Sequence, residues 1–186
     1  MAEVIDLEIV IQNVVASATL DQKFNLLDII KTFRNVEYNP KRFPGLVFRL
    51  KRPKTATLIF SSGKMVCTGA KSEKQARAAV RKVVRELKNN GIIVLNKPVI
   101  TIQNIVASAN LQNKVDLESA ADLLDNVMYE PEQFPGLIYR MRDPKTVLLV
   151  FTSGKIVCTG GKSEENVHES VHKLHELLDD YALFYE

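Results

Sequence analysis

Shifted by 91 residues, the sequence superimposes on itself without a gap. IQNVVASA at residues 11–18 returns as IQNIVASA at 102–109, and SGKMVCTGAKSE at 62–73 returns as SGKIVCTGGKSE at 153–164. Pairing 11–88 with 102–179 gives 37 identities in 78 positions. Nothing constrains the fold more: whatever surface one copy builds, the chain builds twice. Two copies make an internal pseudo-dimer, since a solenoid needs three or more stacked units. The expected division is a first repeat over 1–91 and a second over 92–186.

Each repeat reads as α+β. LEIVIQNVVASA is rich in β-branched residues and predicts a strand. DQKFNLLDIIKTFRN places Phe24, Leu27, Ile30 and Phe33 at helical spacing, with Asp21 as the expected N-cap. Three short strands follow, LVFRLK, TATLIFS and KMVCTG, punctuated by Arg52-Pro53 and Ser62-Gly63. A second helix is expected from Ser72, spaced from Gln75 as in a capping box, to about Asn90-Gly91. The identities concentrate in the strands and turns. In 21–34 only Lys23 and Leu26 match their partners, and in 74–88 only Val80, Lys82 and Leu87 do. The repeats share a sheet and differ in its helical cover.

Charge is divided as unevenly as sequence is shared. The net +3 is the sum of +9 over residues 1–91 (17 Lys/Arg, 8 Asp/Glu) and −6 over 92–186 (8 Lys/Arg, 14 Asp/Glu). A polyanion favours the first half, and a basic partner fits the second. No apolar run approaches a membrane span and MAEVIDLEIV has no leader pattern, so a soluble intracellular protein is expected. Two cysteines make no disulfide framework.

Side chains alternate along a strand, and these strands are apolar on both faces. Two helices per repeat cover one face. The other carries Val15, Leu58, Phe60 and Val66, repeated as Val106, Leu149, Phe151 and Val157. An uncovered apolar face marks an interface. Neutral hydrogen-bonding groups interrupt it in pairs, Asn13/Asn104 and Thr68/Thr159. Cations duplicate around it: Arg49/Arg140, Lys54/Lys145, Lys64/Lys155 and Lys71/Lys162. An uncharged floor with a basic rim suits the minor groove of a duplex, with the rim on phosphates. That groove distinguishes chiefly G·C from A·T, through the guanine amino group that small apolar side chains would clash with.

IQNVVASA, YNPKRFPGLVFR, PKTATLIFSSGKMVCTGAKSE and the second-copy YEPEQFPGLIYRMRDPKTVLLVFTSGKIVCTGGKSE resemble the conserved core of the TATA-box-binding protein family, across essentially the whole chain. The resemblance implies a saddle: one curved antiparallel sheet from both repeats, with helices on its convex face. The brief N-terminus, the alike halves and the acidic C-terminus imply an archaeal member, placed in the cytoplasm at the nucleoid; a eukaryotic source would place it in the nucleus. It implies that Phe43 and Phe60, and Phe134 and Phe151, are two pairs of intercalating wedges. Asn13, Asn104, Thr68 and Thr159 would meet base acceptors. Val15, Val66, Val106, Val157, Leu58 and Leu149 would form the groove floor, and the eight paired cations above would contact phosphates. Glu130 and Glu132 would dock transcription factor B, which leads to the RNA polymerase pre-initiation complex. Gln133 departs from the apolar residue frequent in the family, and the first repeat has Asn39 and Lys41 where the second has the two glutamates. The implied partners are A/T-rich promoter duplex and these proteins, with no membrane and no small-molecule substrate.

Other signals are weaker. GGKS at 160–163 lacks the glycine spacing of a P-loop, because residue 156 is Ile156. His168, His172 and His175 read as a solvated helix face, and Cys67 and Cys158 as small buried hydrophobes. No catalytic constellation is repeated or clustered, so no enzyme, cofactor or metal is expected. Two rivals stand beside the DNA reading: a module whose sheet face buries a protein, and a nucleic-acid enzyme carrying a similar accessory domain.

Overall fold

A computed structural model describes residues 5–186; residues 1–4, part of the stretch read for a leader, lie outside it. In the first half the elements are β1 (Val10–Thr19), α1 (Leu26–Thr32), β2 (Val36–Glu37), β3 (Leu46–Lys51), β4 (Lys54–Ile59), β5 (Lys64–Ala70) and α2 (Glu73–Asn89). The second half repeats them as β6 (Val99–Asn110), α3 (Leu117–Leu123), β7 (Val127–Met128), β8 (Leu137–Arg142), β9 (Lys145–Val150), β10 (Lys155–Gly161) and α4 (Glu164–Asp180). The strands of each half are antiparallel, in the orders β2-β3-β4-β5-β1 and β6-β10-β9-β8-β7. Two compact units result, 13–103 and 104–186 with 1–12.

Period-2 alternation decides which side chains enter each core. In the first unit Ala16 and Ala18 of β1, Phe48 of β3, Ile59 of β4 and Met65 and Cys67 of β5 are buried against the helices. α2 answers with Ala76, Ala79, Val80, Val83, Val84 and Leu87, an i, i+3, i+4 stripe. Each fully buried Val, Ile, Leu or Phe contributes about 1.5–3 kcal/mol of transfer free energy. In the second unit Val167, Val171, Leu174 and Leu178 of α4 cover Leu148, Ile156 and Cys158. Ser72 and Ser163 cap these helices by accepting from the N–H groups of Gln75 and Asn166, contacts worth about 1 kcal/mol each. Lys82 and Lys173, invariant between the repeats amid diverged helix surfaces, donate to the carbonyls of Arg52 and Asp143 in the β3–β4 and β8–β9 turns. They tie helix to hairpin.

The first helix differs from expectation. α1 begins at Leu26 with Asn25 as its N-cap, not Asp21, because the Asn25 side chain accepts from the Leu27 N–H. Its buried residues are Leu26 and Ile29, while Leu27 faces solvent. Phe24 reaches the core from the loop ahead of the helix, and Phe33, at the C-cap, packs edge-on to Phe48 at 5.0 Å. The apolar spacing is thus shared between helix and loops. The capping box at Ser72 is also half formed, since Gln75 Oε1 accepts from the Lys71 N–H instead of that of Ser72. The two-residue edge strands β2 and β7 were not expected. Among the described residues, no helix is long and apolar enough to cross a membrane.

Candidate nucleic-acid interface

In each half, the strand face opposite the helices is half-buried and largely apolar. Strand register arranges it into rows that run across the strands. In the first unit Val47 pairs with Leu58, Leu58 with Val66, and Val66 with Ser17. In the second, Ile138, Leu149, Val157 and Ser108 follow the same order. All eight are half-buried. A neighbouring row runs Arg49, Ala56, Thr68 and on to Asn13, repeated as Arg140, Val147, Thr159 and Asn104. Val15 and Val106 stand two residues along from the asparagines, half-buried on the same face.

The asparagines are held in one orientation. Between Val14 and Ala16 the β1–β5 register slips by one, leaving an extra residue in β5 at Thr68-Gly69; β10 bulges likewise at Thr159-Gly160. A bulge frees a backbone N–H from the ladder. The Gly69 N–H donates to Asn13 Oδ1 at 2.7 Å, and the Gly160 N–H to Asn104 Oδ1 at 2.7 Å. A backbone N–H can only donate, so it fixes the amide oxygen inward and leaves Nδ2 as a donor. Nδ2 gives one hydrogen to the neighbouring threonine, at 3.1 Å for Thr68 and 3.3 Å for Thr159. The other is offered on the open face. Gly69 and Gly160 have φ of +99° and +92°, a conformation that a side chain would strain.

Each phenylalanine pair is assembled from two places in the chain. Phe43 precedes β3 and Phe60 follows β4, and the β3–β4 hairpin brings their rings to 5.7 Å, edge to face. Phe134 and Phe151 meet at 5.8 Å with the same geometry. Phe43 remains 40% exposed, so it is presented and not folded away. Gly45 and Gly136 permit this: a Cβ on Gly45 would stand 2.7 Å from the Phe43 ring, and one on Gly136 would stand 2.8 Å from that of Phe134. Phe43 N–H donates to the Asn39 carbonyl and Phe134 N–H to that of Glu130, closing a turn under each ring. Edge-to-face pairs of this kind contribute about 0.5–1.5 kcal/mol beyond burial.

Lys54, Lys64, Lys71, Arg140, Lys145, Lys155 and Lys162 are all exposed at strand ends or on the open row, dispersed rather than clustered. Arg49 is exposed too, but lies 3.7 Å from Glu37. In the second repeat Met128 stands where Glu37 does, so Arg140 has no such neighbour there. An exposed pair at that distance is weak and yields readily to a phosphate. Glu130 and Glu132 sit exposed in the loop before β8, away from the rows and on the turn that carries Phe134. Cys67 and Cys158 are fully buried toward the helices, and burial pushes the Cys158 thiol up to about 11. His168 and His172 are exposed, and His175 lies against the Phe184 ring at 5.2 Å. Among the described residues no group of three or more His, Cys, Asp and Glu is placed to hold a metal.

Sequence reasoning missed Val47, Ala56, Ser17 and their copies Ile138, Val147 and Ser108. Continuing the alternation outward from Leu58 and Val66 would have found them. The Gly69 and Gly160 N–H groups had no comparable signal.

Architecture and surface together define a class: an internally duplicated α+β protein whose two halves each back their strands with helices and each present a matched, cation-edged apolar face. The family model of transcription factor TFIID (or TATA-binding protein, TBP) matches residues 8–90 and again 99–181. The TATA-box-binding protein of Pyrodictium occultum is 58% identical over 168 residues, covering 90% of this chain and 84% of its own. That of Methanothermobacter thermautotrophicus is 51% identical over 178 residues, covering 96% and 98%. The solved structure titled Methanococcus jannaschii TBP shares 47% identity and superimposes with a TM-score of 0.84, covering 93% of this chain and 99% of that one. The chain belongs to the TATA-binding protein family, whose members are DNA-binding general transcription factors.

Proposed function

We propose that the open faces bind A/T-rich promoter duplex through its minor groove, bend it, and present the complex to transcription factor B and RNA polymerase. The observation that carries this reading is the pair of locked asparagine amides. Adenine N3 and thymine O2 are acceptors in either orientation of an A·T pair, and guanine adds an amino donor that finds no acceptor among Val15, Val66, Val106 and Val157. Asn13 and Asn104 offer hydrogen where A·T pairs need it, and Thr68 and Thr159 stand beside them. The aliphatic rows, with Leu58 and Leu149, press on the floor. Arg49, Lys54, Lys64, Lys71, Arg140, Lys145, Lys155 and Lys162 take phosphates.

Phe43 with Phe60, and Phe134 with Phe151, supply apolar wedges that unstack a base step and kink the duplex, a device for which TATA-binding proteins are themselves the standard example. The unstacking costs a few kcal/mol, offset by the larger surface that bent DNA touches. Glu130 and Glu132 give a basic partner a docking point that the first repeat, with Asn39 and Lys41, does not offer. The setting is the archaeal nucleoid.

A titration of end-labelled A/T-rich and G/C-rich duplexes, read by energy transfer between the ends, tests the proposal. The expected result is strong A/T preference with shortened end-to-end distance. Phe43→Ala or Phe134→Ala should weaken binding by on the order of 10-fold, as loss of one stacking contact implies, and reduce the bend. Equal affinity for both duplexes overturns DNA readout and favours a protein-binding face; an unchanged bend in both variants removes the wedge role.

A further inference from the structure

The exposed surfaces of α2 and α4 occupy equivalent places in their units and carry opposite charge. α2 holds six Lys/Arg and two Asp/Glu, 6 − 2 = +4, and α4 one Lys and six Asp/Glu, 1 − 6 = −5 with histidines neutral. Position by position, Lys74 corresponds to Glu165, Arg85 to Glu176 and Lys88 to Asp179, all six exposed. The buried stripes of the two helices agree (Val80 with Val171, Leu87 with Leu178), so packing does not demand the reversal.

Among the described residues, no side chain outside α2 forms an ion pair with its basic groups. Arg77, Arg81 and Arg85 follow one another at i, i+4 spacing, where like charges repel. Among the described residues Arg81, Arg85 and Lys88 make no ion pair. They join Lys97 around a concavity of about 620 Å³ floored by Val84 and Pro98. One wall is held in place by Arg77, which donates to the Ile100 carbonyl. The far end of α4 has the complementary chemistry. Tyr181 at its C-cap is 48% exposed, directly after the exposed carboxylates Asp179 and Asp180. An aromatic ring suits an apolar floor beneath guanidinium groups, where cation–π attraction adds to burial.

We propose that α2 of one copy docks the C-terminal end of α4 of a second copy. Tyr181 enters the concavity over Val84 and Pro98, and Glu176, Asp179 and Asp180 meet Arg81, Arg85 and Lys88. Each contact joins α2 of one copy to α4 of another, and assembly grows with concentration. Within its unit α2 lies on the helix-backed side of the sheet, so docking leaves the open face free for DNA.

Light scattering on the full chain at low and high salt tests this. At about 0.01 M salt, where charges are felt over about 30 Å, the mean mass should rise above that of a monomer with concentration; near 1 M, with screening within about 3 Å, it should fall back. Arg81→Glu/Arg85→Glu/Lys88→Glu should stay monomeric, as should Glu176→Lys/Asp179→Lys/Asp180→Lys. Mixed in equal amounts, the two variants should associate, because each now complements the other. Tyr181→Ala, which changes only an exposed ring, should weaken association several-fold, and an unaltered melting curve with unaltered A/T-duplex binding certifies the fold of each variant. Wild type that stays monomeric at low salt, variants that associate like wild type, or a mixture that remains monomeric overturns the proposal.

Discussion

An asparagine on a sheet face can turn either its carbonyl or its amino group to a ligand, and in both repeats one backbone N–H makes the choice. Asn13→Asp and Asn104→Asp isolate the consequence. A carboxylate accepts from Gly69 or Gly160 as the amide oxygen does, so folding should survive with little change in melting temperature. The donor would be gone, and on the proposed reading a negative charge would face the groove. Losing a hydrogen bond in this setting costs about 0.5–1.5 kcal/mol, and repulsion by the duplex adds to it, so affinity for A/T duplex should fall by well over 10-fold in a binding titration. Unchanged affinity would end the donor role. The asparagines were legible in sequence because they sit at equivalent places in IQNVVASA and IQNIVASA. Their orientation was not, since it depends on a register slip between β1 and β5 that no local pattern announces.

At the scale of the element, the FPG turn does two jobs with one backbone. The carbonyls of Asn39 and Glu130 just ahead of it accept from the Phe43 and Phe134 N–H groups, and its glycine leaves room for the rings to cross. Gly45→Ala puts a methyl group inside contact distance of both Phe43 and Phe60, so one ring must rotate away. The expected outcome is a hairpin that still folds, with affinity reduced and the bend shortened at that end; Gly136→Ala should act likewise at the other pair. A bend as large as wild type in both variants would show that ring placement tolerates the methyl group. The three hairpin strands and the long helix of each repeat were readable because alternation, Ser72 and the Asn90-Gly91 stop agree with the final packing. α1 was misread because seven residues carry too little periodicity of their own. Phe24 and Phe33, which look like members of its stripe, reach the core from outside the helix.

For the whole molecule, duplication raises a question that it cannot answer itself. On the proposed reading, matched faces would bind a near-palindromic A/T site almost equally in either orientation, yet transcription needs a direction. The repeats differ in the charge around the faces, +9 against −6, and in the acidic Glu130 and Glu132 that only the second repeat carries. A partner that grips that loop, and flanking DNA next to it, would select one orientation. A cleavage reagent tethered through Ser61→Cys, on an exposed turn of the first repeat, reports the choice. The new thiol should label alone, because Cys67 and Cys158 are fully buried and burial raises both thiol pKa values. The protein by itself should cut at both ends of the site. Transcription factor B should confine cleavage to one end, and Glu130→Ala/Glu132→Ala should restore the symmetric pattern while leaving DNA affinity close to wild type. Cleavage that stays symmetric with the partner bound would place the source of direction outside this loop.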